Sequence, residues 1–297
     1  MTGDAFVFPP ALKPGSRIAV VAPASPFDHA LIWRGLGALG ERYRLRFDRA
    51  LFTRTGYLAG SDERRRDELA RALEAPDVDA IVAARGGYGL TRFVHELPWQ
   101  KLRERPRWLI GFSDITALHV EAMRLGVASL HAPNLSAFGG QGSARASVIA
   151  ALENPRATRR FEGLIPLVAG RASGPLVGGN LTLIMCAATM GRWAPPAGAI
   201  LFIEDVTERP YRIDRALSAL RAGGHLDRIG GLVVGDFTDC NPGPDGVTVE
   251  SVIADYARAL AVPAARGLPA GHGTVNEPLM LGARATLDVG SSAQLEI

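Results

Sequence analysis

Ile110-Gly111-Phe112-Ser113-Asp114 brings a hydroxyl to the junction of an apolar run and a helical stretch. A serine on such a strand-to-helix turn is pushed clear of the sheet, beside the first N–H groups of the helix. That is the geometry of a nucleophile elbow. The second glycine of the usual elbow is absent, because Ile115 follows Asp114. The same residues also suit a plain helix start, with Ser113 as N-cap and Asp114 favouring the helix dipole.

A serine nucleophile needs a base and a group that orients the base. The chain has six histidines. His29, His95 and His225 lie in or beside polar helical stretches and read as surface residues. His119 follows Ser113 on the same helix, about 9 Å along its axis and on a different side. His131 ends a short apolar run, where it lines a cleft or sits satisfied in a core. His272 stands in Leu268-Pro269-Ala270-Gly271-His272-Gly273, and its flanking glycines let an imidazole project from tight backbone. For the acid, Leu201-Phe202-Ile203-Glu204-Asp205 carries a carboxylate pair to the end of an apolar run, with Phe202 and Glu204 on one face. A carboxylate leaving a buried strand is costly unless paired. Either acid could instead cap a turn or pair with Arg209, Arg212 or Arg215.

The turn Arg85-Gly86-Gly87-Tyr88-Gly89 offers bare backbone N–H groups to an anion or oxyanion. It lacks the G-x-G-x-x-G spacing of a dinucleotide fold, and no G-x-x-x-x-G-K-S/T occurs. No His, Cys and carboxylate group has metal-ligand spacing. Cys186 and Cys240 are far apart, without a CxxC, and give no disulfide framework.

These residues need a scaffold. The 297 residues are 47% hydrophobic and 21% charged, enough chain for one large domain or two medium ones. The net charge of +3 invites a nucleic-acid reading, but of 33 cations only Lys13 and Lys101 are lysine. The densest run, Arg64-Arg65-Arg66, lies between Asp62-Glu63 and Asp67-Glu68 and reads as a solvated, ion-paired helix face. No nucleic-acid partner is expected. Met1–Lys13 lacks the pattern of a signal peptide, and no run reaches the roughly 18 apolar residues of a membrane helix. The expectation is a cytoplasmic protein without a membrane partner.

Short apolar runs at 17–22, 79–84 and 108–112 alternate with helical stretches at 29–41, 62–74 and 114–125, and a further helix is expected after Gly89. This βα alternation predicts an N-terminal open parallel sheet flanked by helices, with sites at the carboxyl ends of its strands. A smaller β-rich C-terminal domain with helices is expected to follow. The boundaries read as 1–151 for the domain carrying Ser113, 152–172 for a linker, and 173–297 for the domain carrying Glu204 and His272.

Four segments together resemble the LD-carboxypeptidase, or muramoyltetrapeptide carboxypeptidase, family, whose relatives include the microcin C self-immunity peptidases. They are Ala84–Gly89, Gly111–His119, Leu201–Arg215 and Leu268–Gly273, in the family's order and extending over essentially the whole chain. The resemblance implies a catalytic triad of Ser113 as nucleophile, His272 as general base and Glu204 as its orienting carboxylate. It implies an oxyanion hole from the backbone N–H groups of Gly87 and Asp114, a dimeric enzyme, and no metal or other cofactor. The activity it implies is release of the terminal D-Ala from a murein tetrapeptide, in peptidoglycan recycling, through an acyl-enzyme. A carboxylate-bearing substrate calls for an arginine in the cleft, for which Arg85 and Arg212 are the candidates, and Tyr88 is a further expected substrate-binding residue. Two departures stand out: His131-Ala132-Pro133 where the family usually has His-Gly-Pro, and the compact, hydrophobic stretch Gly191–Pro196. The alternatives are hydrolysis of peptidyl- or aminoacyl-nucleotides, as in the microcin-immunity branch, and a non-catalytic binder of cell-wall fragments.

Overall fold

Three runs of consecutive apolar residues form the centre of a parallel sheet: β1 (Arg17–Val21), β3 (Ala80–Ala83) and β4 (Trp108–Gly111). Residues buried on both faces read as unbroken apolar runs, as parallel strands covered by helices must. The shorter β2 (Arg44–Arg46) and β5 (Ser129–His131) flank them, giving the order β5-β4-β3-β1-β2 with every pair parallel. This computed structural model describes residues 6–138 and 144–297; the first five residues of the Met1–Lys13 stretch lie outside the described residues. The chain divides into two units, residues 7–157 and residues 158–297 with Phe6.

In the first unit the helices are α1 (His29–Gly40), α2 (Asp62–Glu74), α3 (Gln100–Glu104), α4 (Thr116–Arg124), α5 (Leu135–Phe138) and α6 (Ala144–Glu153). Asp28 caps α1 by accepting the Ala30 N–H at 2.7 Å, and Ser61 caps α2. The helix expected after Gly89 is replaced by two 3-10 turns, Leu90–Arg92 and Val94–Glu96. The Leu90 N–H, at the start of the first turn, donates to the side chain of Asp114 at 2.9 Å. A core of Leu69, Leu73, Ile81, Phe93, Leu109 and Leu118 joins α2, the sheet and α4.

The basic run of α2 is ion-paired, as expected, but it is not a solvated face. Arg65 is fully buried, beneath the Phe93 ring, bonded to Asp62 and donating to the Pro23 carbonyl at 2.6 Å. Arg64 reaches the Ala22 carbonyl at 2.6 Å and pairs with Glu68 at 3.0 Å. Burying a guanidinium is costly unless its charge and terminal donors are met. Here the Ala22 and Pro23 carbonyls share that role with Glu68 and Asp62, while the two Nε atoms have no hydrogen-bond partner among the described residues.

The second unit contains β6 (Arg160–Val168), β7 (Gly170–Asn180), α7 (Leu181–Thr189), β8 (Ile200–Val206), α8 (Pro210–Ala222), β9 (Gly231–Thr238), α9 (Val249–Leu260), β10 (Ala264–Arg266), β11 (Leu279–Leu281), β12 (Arg284–Val289) and β13 (Ala293–Glu296). Seven of these strands close into a barrel in the order β10-β6-β13-β12-β7-β8-β9. β7 through β10 are parallel neighbours, whereas β12, β13 and β6 pair antiparallel. Leu176, Phe202, Val233, Leu268, Leu287 and Leu295 form its core. The stretch 152–172 is therefore not a linker. It holds the end of α6, all of β6 and the start of β7, and the unit boundary falls at 157/158. Along β6 Leu164 is buried while Arg160 and Glu162 face solvent, so a strand wetted on one side lacks the apolar run that marks β1 or β3.

Candidate active site

Ser113 follows the last strand residue of β4 by two positions and has φ +67°, a left-handed conformation that an L-residue adopts only under constraint. It opens a 3-10 turn, Ser113–Ile115, that runs into α4, and the N-cap positions of the turn and of the helix are Phe112 and Ile115 rather than Ser113. The plain N-cap role is thus not what the hydroxyl does. Four contacts pin the turn. The Gly111 carbonyl accepts the Ala132 N–H at 3.1 Å and lies 2.9 Å from His119 Nε2. The Phe112 N–H donates to Asn134 Oδ1 at 3.2 Å. Asp114, fully buried, accepts the Leu90 N–H at 2.9 Å. Burial pushes the Asp114 carboxyl up to about 7, against the pull of that N–H and of Arg65.

The glycine turn packs directly on this elbow. A Cβ on Gly86 would lie 2.8 Å from the Ser113 Cβ, so only glycine permits the approach. Gly87 has φ +107°, which glycine adopts without strain, and a side chain there would collide with Ser25 Oγ. Ser25 holds the turn twice: its N–H donates to the Gly86 carbonyl at 3.2 Å and its Oγ accepts the Tyr88 N–H at 3.1 Å. Arg64 and Arg65 grip the preceding carbonyls of that same Ala22-Pro23-Ala24-Ser25 loop. Arg85 is exposed and donates to the Pro26 carbonyl; Tyr88 is exposed, with its ring 6.0 Å from Tyr57. The glycine turn thus lies directly against the start of the Ser113–Ile115 turn.

In the barrel unit, Glu204 and His272 meet. Glu204 Oε2 is 2.6 Å from His272 Nδ1, with the carboxylate fully buried and the imidazole 18% exposed. A carboxylate accepts, so Nδ1 donates and the ring lone pair is on Nε2. Burial pushes the Glu204 carboxyl up; the His272 and Asn180 side chains pull it back. The loop is set by Gly271, at φ +130°, whose N–H donates to Asn276 Oδ1 at 3.1 Å. Asp205, the next residue, points elsewhere: it accepts from Asn180, from the Thr182 N–H and from the Thr182 hydroxyl, all within 3.0 Å, and so caps α7. The two acids of the strand end are divided between an imidazole and a helix start.

The remaining candidates lie apart from these contacts. Arg212 sits on α8, 3.3 Å from Glu208 and against the Tyr211 ring. His131 is buried, edge-on to Phe112 at 5.9 Å. His119, which helical spacing sets aside as a base, is instead the residue beneath the elbow. Burial pushes its pKa down to about 4. Two further residues escape the sequence reading. Ser25 carries only the signal of a Pro-flanked turn, and Asp236 stands at the end of an apolar run just as Glu204 does. Among the described residues no group of three or more His, Cys, Asp or Glu could hold a metal ion, and no helix is long and apolar enough to cross a membrane.

Comparison with known proteins bears on both units. Residues 18–132 match the LD-carboxypeptidase N-terminal domain and residues 173–287 the LD-carboxypeptidase C-terminal domain. A relative from Synechocystis is 37% identical, over 95% of each chain. The murein tetrapeptide carboxypeptidase of Pseudomonas aeruginosa is 34% identical, over 92% of this chain and 93% of that one. The crystal structure of a muramoyltetrapeptide carboxypeptidase from Oxalobacter formigenes superposes with a TM-score of 0.84 at 28% identity, covering 95% of this chain and 98% of the other.

Proposed function

The chain belongs to the LD-carboxypeptidase family, and from that premise we propose that it is a serine carboxypeptidase that releases the terminal D-Ala from murein tetrapeptide in peptidoglycan recycling. The observation that carries the reading is the 2.6 Å bond between Glu204 and His272, a base already oriented by a buried acid.

In this mechanism Ser113 Oγ attacks the carbonyl carbon of the L,D peptide bond while His272 Nε2 takes its proton. The N–H groups of Gly87 and Asp114 receive the oxyanion, where preorganised donors contribute most. Collapse breaks the C–N bond, and the imidazolium returns the proton to the departing D-Ala amine. Water, deprotonated by His272, then hydrolyses the acyl-serine. Glu204 keeps the tautomer and stabilises the transient imidazolium. Arg85 and Tyr88, on the loop of Gly87, contact the substrate; Arg212 would exchange its Glu208 contact for a substrate carboxylate. The family resemblance further supports a cytoplasmic homodimer acting without metal or cofactor, and sedimentation of the purified protein tests the dimer.

The test of the reaction is D-Ala release from murein tetrapeptide by the wild type and by Ser113→Ala. Removing one member of such a triad costs several orders of magnitude in rate. Equal release by both proteins would overturn the assignment of Ser113.

A further inference from the structure

A second carboxylate stands beside His272. Ile203 faces Val234 across the β8–β9 ladder and Asp205 faces Phe237, so Gly235 and Asp236 together oppose Glu204. This is a β-bulge, a device that re-aims a side chain and recurs beside active sites. A Cβ on Gly235 would strike the Ala270 carbonyl, which fits a bulge pressed against the His272 loop. Asp236 brackets that loop from both sides. Its N–H donates to the Ala270 carbonyl at 3.0 Å, and its Oδ2 accepts the Gly273 N–H at 3.2 Å.

That bracketing occupies one oxygen and leaves the charge unanswered. Asp236 is half-buried, and among the described residues neither an Arg nor a Lys forms an ion pair with it, in a chain with 33 such cations. Oδ1 accepts no hydrogen bond among the described residues. Burial disfavours the charged form, while the Gly273 N–H and His272 favour it. A half-desolvated carboxylate held one residue from the imidazole, and reachable from solvent, is complementary to a cation that arrives with the substrate. The leaving D-Ala bears a carboxylate and is repelled by it. The residue on the acyl side of the scissile bond carries a side-chain amine, whether it is diaminopimelate or lysine.

We propose that Asp236 is a specificity residue that binds the side-chain ammonium of the acyl-side residue and turns the carboxylate end of the peptide away from the barrel. The proposal rests on the murein-peptidase reading above. Both diaminopimelate and lysine present an ammonium there; diaminopimelate also carries a carboxylate on the same carbon, so lysine peptides isolate the ammonium contact.

The experiment is a two-by-two cycle: wild type and Asp236→Asn against tetrapeptides with lysine at the third position, its ε-amine free or acetylated. Asparagine keeps an acceptor for the Gly273 N–H and removes only the charge. The wild type is expected to favour the free amine by roughly tenfold to a hundredfold in kcat/KM, and Asp236→Asn to lose that preference by slowing only on the free-amine peptide. Equal slowing on both peptides would reduce Asp236 to a positioner of the His272 loop and overturn the proposal, as would a wild type indifferent to acetylation. Calorimetric binding of both peptides to Ser113→Ala separates the two readings. A binding preference for the free amine without any turnover by the wild type overturns the peptidase reading and keeps the ammonium site; neither preference nor turnover overturns both.

Discussion

His119 Nε2 lies 2.9 Å from the carbonyl oxygen of Gly111, the last residue of β4 before the strained turn at Ser113. A carbonyl can only accept, so Nε2 carries the proton and Nδ1 accepts from Ser129 Oγ, also at 2.9 Å. The imidazole is neutral, buried and fixed in one tautomer, and it steadies the peptide two residues ahead of Ser113. His119→Gln can still donate to that carbonyl, whereas His119→Leu cannot. The leucine variant is expected to lose roughly tenfold to a hundredfold in kcat with KM little changed, and about 1–3 kcal/mol of stability. The glutamine variant should recover most of kcat. Steady-state kinetics and urea unfolding of the pair read both effects.

Glu204→Gln tests the second half of the proposed triad. The amide preserves shape but can donate to the imidazole, favouring the tautomer with its proton on Nε2, where it cannot act as a base. A comparable change in a serine protease triad lowers kcat by about 10⁴, and a fall of similar order is expected here with the fold intact. Circular dichroism alongside D-Ala release distinguishes this from unfolding; a variant within tenfold of wild type would remove Glu204 from the mechanism.

Two glycines offer an internal contrast. An alanine Cβ at Gly86 would sit 2.8 Å from the Ser113 Cβ and 3.0 Å from the Phe112 carbonyl, so the elbow or the glycine turn must move. At Gly37, within α1, a Cβ meets nothing within 4 Å. Gly86→Ala should cost at least roughly a hundredfold in kcat/KM, as an ångström of displacement at a reacting group does. Gly37→Ala should leave kinetics unchanged and stabilise by about 0.5–1 kcal/mol. Thermal unfolding and D-Ala release measured on both variants check the pair.

The legible parts of this fold are those where local physics is decisive. β1, β3 and β4 announce themselves as apolar runs because both of their faces are buried, and α2 and α9 carry their own caps in Ser61 and Thr248. β6 does not, because its wetted face breaks the run, and the barrel it closes depends on pairings with β13 and β10 more than 90 residues away. The site divides the same way. Ser113, Glu204 and His272 stand at strand ends or between glycines, where sequence marks them. Arg65 looks like one of three solvated cations, and only the tertiary approach of the Pro23 carbonyl and the Phe93 ring shows that it is buried. Asp236 ends an apolar run as Glu204 does, but its place against the His272 loop depends on a bulge, and a bulge is a property of two strands together.

Asp114 and His119 make a prediction about pH, because burial moves them in opposite directions. The Asp114 carboxyl is raised from 3.8 to about 7, so between those values the folded protein holds a proton that the unfolded chain has released. Its contribution to stability is full below about pH 4 and declines as pH rises to about 7. The His119 imidazole is lowered from 6.5 to about 4, so there the unfolded chain takes up a proton that the folded protein refuses. Its contribution is full above about pH 6.5 and is lost as pH falls toward 4. In the overlap the two slopes oppose, each worth up to about 1.4 kcal/mol per pH unit. Relative to wild type, Asp114→Asn should therefore lose Tm more steeply on acidification from pH 6.5 to 5, and His119→Gln should gain Tm over the same change. Both variants retain a group for the native hydrogen bond, so the slope is read apart from the loss of contact. Scanning calorimetry of the three proteins at pH 5, 5.5, 6 and 6.5 reads the slopes directly, and two variants shifting the slope in the same direction would contradict the opposed burial of these two residues.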